Sequence, residues 1–167
     1  MSDPTPAIAA AFAASFRDHR DRVHRLADGV TDAQFWVRPY PYGNSMGHLV
    51  LHLTGNLNYF IGRQMAGTGY VRDREREFRD PNPPSKSHAL QRLDEAVELA
   101  IATIEAQTVD GWTAAYSATG ADDVADRFAM LLRAATHFYH HVGQMIYLAK
   151  EHVRQTTDDA AGSQPVG

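Results

Sequence analysis

Nine histidines and no cysteine set the chemistry open to this chain of 167 residues. Without thiols there is no disulfide, no cysteine nucleophile, no zinc finger and no iron–sulfur cluster, so any bound metal must take nitrogen or oxygen donors. His48 stands four residues before His52, and His137 stands four before His141. On a helix that spacing turns about 40° and puts both imidazoles on one face, close enough to share an ion. One more neutral imidazole from another helix makes a three-nitrogen site with a fourth position for water or substrate. That is the arrangement of catalytic rather than structural zinc.

The neighbours of each histidine sort them further. Over residues 45–66 the apolar arc is Leu49, Val50, Leu53, Leu57, Phe60 and Ile61. His52 and Asn56 border that arc, and His48 lies farther round. Over residues 121–153, His137 and His141 fall in a stripe with Met130, Ala134, Met145 and Leu148. Their neighbour His140 falls on a polar face with Arg133, Tyr147 and Glu151. Helical geometry thus separates the adjacent pair His140 and His141. The same angles equally allow core histidines that only hydrogen-bond.

Four helices must position these residues. Helical periodicity runs over residues 7–28, 45–66, 86–107 and 121–153, far above the usual one-third helix, so the expected fold is an all-α four-helix bundle. Pro6 and Gly29 punctuate the first helix, and Ser45 is placed to cap the second. Pro39 and Pro41 break the crossover before it. There Thr31 caps a short turn through Phe35, and Phe35, Trp36, Tyr40 and Tyr42 pack on the bundle. Residues 67–85 form a charged, Pro-rich loop, long enough to be functional or mobile. One domain over residues 1–154, followed by a disordered tail over 155–167, completes the expected organisation.

Several function classes drop out. Sixteen Lys and Arg against twenty Asp and Glu give a net charge of −4, which argues against nucleic-acid binding. No apolar run approaches membrane-spanning length and no basic leader opens the chain, so a cytoplasmic protein without membrane contact is expected. Gly43-Asn44-Ser45-Met46-Gly47 fits the serine-hydrolase elbow G-x-S-x-G, but that elbow needs a strand before it and a parallel sheet beneath. No nucleotide-binding glycine motif is present. No glutamate stands in H-E-x-x-H position, so a general base would have to come from the 72–79 loop, through Glu75 or Glu77. The plainer reading of that loop is a solvated ion-pair network, and its arginines are also placed to clamp a substrate carboxylate.

Three stretches together resemble the DinB/YfiT-like family: SMGHLVLHLTGNLNYFIGRQ at 45–64, RDREREF at 72–78, and ATHFYHHVGQMIYLAK at 135–150. The last carries H-x-x-x-H-x-G-Q. The resemblance implies an up–down–down–up bundle, commonly a homodimer, with a divalent metal on three histidines. By position these are His52, His137 and His141, with His48 competing for the first place. Gln144 and Asn56 are the residues expected to hydrogen-bond a ligand or its bound water. Zinc is the first expectation for the metal, with nickel, iron or manganese as alternatives. Characterised relatives include transferases using low-molecular-weight thiols such as bacillithiol or mycothiol, and a mycothiol-dependent isomerase. The implied function is a metal-dependent enzyme on small molecules, a thiol-dependent S-transferase whose thiol arrives as cosubstrate. The alternatives are a metal-dependent hydrolase and a non-catalytic dimeric module binding metal or ligand.

Overall fold

Helices begin where the sequence supplies partners for their unpaired amides. In the computed structural model, which describes residues 3–162, Thr31 and Ser45 both close capping boxes, with Gln34 and His48 respectively. Ser85 and Thr108 cap two further helices through His88 and Gly111. Gly67, at φ +68°, ends the helix before it in the left-handed conformation that glycine adopts at least cost.

The described residues contain seven helices and no sheet, rather than four helices alone. The long ones are α1 (Thr5–Asp28), α3 (Met46–Leu57, prolonged by a π-helical stretch Asn58–Arg63 and a last turn Gln64–Ala66), α5 (Lys86–Glu105) and α7 (Arg127–Gly162). The short ones are α2 (Asp32–Trp36), α4 (Arg76–Arg79) and α6 (Val109–Trp112). Helices α1 and α3 each pack against both α5 and α7, so the four long helices enclose one core. Phe16, Phe138, Met46, Leu53, Leu93 and Met130 fill it with almost no exposure. No helix of the described residues is long and apolar enough to cross a membrane.

The last helix departs most from the sequence reading. It starts at Arg127 rather than 121, because Asp126 accepts from the Ala129 amide at 2.8 Å. It does not stop near Val153 but runs to Gly162, and residues 163–167 lie outside the described part. Arg154 pairs with both Glu151 and Asp158 along this last stretch. Gln155 donates to the Pro39 carbonyl, and Gln34 donates to Thr156. Gln155 and Thr156, the first residues of the segment expected to be disordered, are thereby tied to the crossover, which their polar character does not reveal.

The crossover itself packs mainly as its aromatics predict. Phe35 is fully buried, and Trp36 and Tyr40 lie against the core. Tyr42 is the exception, 74% exposed and stacked flat on Tyr40. Trp36 sits directly over Gly47, where a Cβ would collide with the indole ring. Along α3, the Phe60 carbonyl in the π-helical stretch accepts from Tyr116 Oη at 2.9 Å. Two guanidinium groups lie over the Phe60 ring, Arg72 at 5.8 Å and Arg133 at 5.9 Å from its centroid.

Candidate metal centre

His52 on α3 meets His137 and His141 on α7 across one seam of the bundle. The three offer nitrogens that all lie within 4.8 Å of one another. Their rings are mutually steep, at 72°, 87° and 88°, with centroids 5.2, 5.0 and 4.4 Å apart. The ring nitrogens, rather than the flat faces, therefore converge. His52 Nε2 stands 3.1 Å from His137 Nε2.

The outer nitrogen of two of these rings is occupied, and that decides what the inner one can do. His52 Nδ1 donates to Glu77 Oε2 at 2.8 Å, so its Nε2 turns a lone pair inward. His141 Nδ1 donates to Gln144 Oε1 at 2.7 Å. Its Nε2 is then a buried acceptor with no hydrogen-bond partner. An inward lone pair on each of two rings, with a third nitrogen beside them, is a donor set that suits a divalent cation.

Protonation reinforces this. Burial, followed by repulsion from the neighbouring histidines His141 and His52, pushes His137 down to about 3. Burial pushes His141 down to about 4, although its bond to Gln144 opposes the shift. Both are neutral at pH 7, the state a metal requires of imidazole.

Glu77 is the residue that sequence reasoning placed wrongly. The 72–79 loop is not simply a solvated network, because Glu77 is only 6% exposed. Arg72 grips it with two bonds, Nε to Oε1 at 2.6 Å and Nη2 to Oε2 at 2.9 Å, while His52 takes Oε2 as well. A buried carboxylate is tolerated when its charge is paired and its oxygens are hydrogen-bonded, and here both conditions hold. Its approach needs Gly55, three residues after His52, where a Cβ would collide with Glu77 Oε1. That glycine on the histidine's side of the helix is the only trace of the contact in the sequence. Next to Glu77, Phe78 packs its ring 5.1 Å from His52.

The remaining candidates fall into place. His48 stands outside the converging group: its Nδ1 accepts from the Ser45 hydroxyl at 2.8 Å, and its ring packs on Trp36. Ser45 is a helix cap with no strand or sheet beneath it. His140 is exposed and accepts from Gln144 Nε2 at 3.1 Å. Asn56 is buried beside the seam but makes no hydrogen bond to the three histidines among the described residues. Glu75 is exposed and pairs with Arg79.

Residues 15–145 match the family described as the DinB superfamily. A crystal structure from Enterococcus faecalis, described as the conserved protein of a locus, superposes with a TM-score of 0.70. That match covers 86% of this chain and 96% of the other at 15% identity, which shows the fold alone. No curated protein matches the chain.

Two outcomes follow from the geometry. Glu77→Gln keeps the side-chain shape but removes the charge that orients His52. Metal affinity, measured by competition with a chromophoric chelator, is expected to fall about 10- to 100-fold with helix content unchanged; an unchanged affinity would show that Glu77 does not orient the ligand. The second concerns acid. Below the ordinary histidine value of 6.5, the unfolded chain takes up protons that folded His137 and His141 refuse until about 3 and about 4. The unfolded state thus binds more protons, and stability of the metal-free protein falls as pH drops from 6.5 towards 4. Urea midpoints at pH 7 and pH 5 should differ less in His137→Gln than in the parent; equal differences would refute the assignment.

Proposed function

This chain belongs to the DinB superfamily, and from that premise we propose that it is a metal-dependent enzyme acting on small molecules. His52, His137 and His141 hold one divalent ion in this reading. The observation that carries it is the composition of the cluster: three imidazole nitrogens converge, and among the described residues no fourth histidine and no carboxylate joins them. A structural site is closed by a fourth protein ligand, whereas a catalytic one leaves that position for water or substrate. Imidazole donors suit zinc first, and nickel, iron or manganese as alternatives. When bound, such an ion lowers the pKa of a coordinated water or thiol and polarises a carbonyl.

The chain's own residues do the positioning. Glu77 and Gln144 fix the outer nitrogens of His52 and His141, so both rings enter with the correct tautomer. Phe78 packs its ring against that of His52. Both oxygens of Glu77 are already bonded, which removes it as a free general base. With no cysteine in the chain, any thiolate nucleophile must arrive as a cosubstrate, which fits a thiol-dependent S-transferase; a metal-bound hydroxide in a hydrolase fits equally well. The long 67–85 connection between α3 and α5 leaves room for the up–down–down–up course of the family. Phe128, Leu132 and Tyr139 project from α7 beside Phe12 of α1 and form an exposed apolar strip, the surface we assign to a homodimer.

Metal content by mass spectrometry on tag-free protein tests the core of this reading. Near one ion per chain is expected in the parent and in His140→Ala, with loss in His52→Ala, His137→Ala and His141→Ala. No stoichiometric metal, with all four variants like the parent, would end it. The loaded protein is then offered an electrophile with and without a low-molecular-weight thiol. Turnover that needs the thiol supports transfer; thiol-independent turnover means hydrolysis instead. Sedimentation velocity reads the second assignment: a dimer that becomes monomeric in Leu132→Glu supports it, and a monomeric parent overturns it.

A further inference from the structure

Beside the histidine cluster lies a cleft of about 530 Å³, lined by Arg38, Asn44, Arg74, Glu75, Phe78 and Arg79. We infer that this cleft is an anion subsite, in which Arg38 and Arg74 bind the carboxylate or phosphate group of a small substrate whose other end reaches the histidines. The inference rests on the cluster being an active centre and names the class of substrate it takes.

Charge pairing in the surrounding segment singles out these two arginines. Arg72 is committed to Glu77, Arg76 to Asp80 and Arg79 to Glu75. Arg38 and Arg74 have no carboxylate partner among the described residues. They come from different elements, the crossover and the loop before α4, yet both are held by the same residue. Arg38 Nη2 donates to the Phe78 carbonyl at 3.3 Å, and the Arg74 guanidinium lies over the Phe78 ring at 5.7 Å. Neither hold consumes the charge, so both guanidinium groups keep donors for an incoming anion. The planar fork of arginine matches carboxylate and phosphate oxygens in pairs, and the Asn44 side chain adds a polar group to the same wall.

Position links the cleft to the chemistry. The Phe78 ring that borders it also packs 5.1 Å from His52 and 6.5 Å from His48. An anion held by the two arginines is therefore one aromatic ring away from a residue of the cluster. The local charge is also the reverse of the molecule's. Three arginines against Glu75 line the cleft, in a chain whose net charge is −4. A cationic recess on an anionic protein draws small anions to that one place. Its volume suits a small molecule.

The probes are succinate and inorganic phosphate, added separately at constant ionic strength to the protein as purified. Binding is read by NMR from the arginine Nε–H signals. Saturable shifts of Arg38 and Arg74 with succinate, with phosphate or with both are expected, and the tighter probe tells a carboxylate substrate from a phosphorylated one. Arg38→Gln and Arg74→Gln should each weaken binding about tenfold or more, the loss of one charge-assisted hydrogen bond. Arg92→Gln, a change elsewhere on the surface, should leave it unchanged. All three side chains are exposed, so circular dichroism should show intact helices. No saturable shift with either anion, or binding in both cleft variants equal to the parent, would overturn the subsite. Because the readout does not involve the ion, failure here leaves the metal reading standing, and anion binding by a protein that holds no stoichiometric metal by mass spectrometry would remove the metal reading while leaving the subsite.

Discussion

A carboxylate in a helical bundle has to be neutralised, and the way Glu77 is neutralised ties the site together. Arg72 supplies the charge, His52 supplies a further hydrogen bond, and Gly55 supplies the space. Without Arg72 the carboxylate is unpaired in a dry place, and with a side chain at Gly55 it is excluded from the helix surface, both costly outcomes. Through this one group the 67–85 segment, α3 and the histidine cluster become a single mechanical unit. The segment reads as a surface loop from its charge and prolines. It is held down because one of its charges is more stable against the bundle than in water only when paired.

The cluster is asymmetric in its support. His52 is oriented by an ion pair from a different element, whereas His141 is oriented by Gln144 from its own helix, three residues on. Helical spacing alone therefore sets half of the arrangement, and a long-range contact across 25 residues of chain sets the other half. Among the described residues His137 has no such outer partner, and burial, followed by repulsion from His141 and His52, keeps it neutral. Orientation and protonation state are thus controlled by different means within one small volume.

What could be read from sequence follows the same division. His137, His141 and Gln144 share one helix, so a period of 3.6 residues places them relative to one another before any fold is known. His52 needed its position at the border of an apolar arc, together with the motif around it. Ser45 and Thr31 were legible because caps act over three residues. Glu77 was not, since nothing local distinguishes it from Glu75, which is exposed two residues earlier. The helical continuation to Gly162 was hidden for a similar reason: its polar side chains find partners in the crossover at Gln34 and Pro39, more than a hundred residues away. Local rules failed wherever the deciding partner was remote.

The π-helical stretch Asn58–Arg63 sits directly downstream of His52, Gly55 and Asn56. A π turn holds about one residue more than the α turn it replaces. Dropping a single residue there converts the winding to α and leaves everything beyond it facing as before, because the wide turn holds the extra residue within itself. Dropping one instead from the α-helical part just before it, between His52 and Leu57, would turn everything beyond by about 100° relative to everything before. Phe60 would then leave its seat beside Arg72 and Arg133 while His52 kept its own. Along this helix the π turn is the one place where the residue count can change by one without rotating the histidine face against the rest.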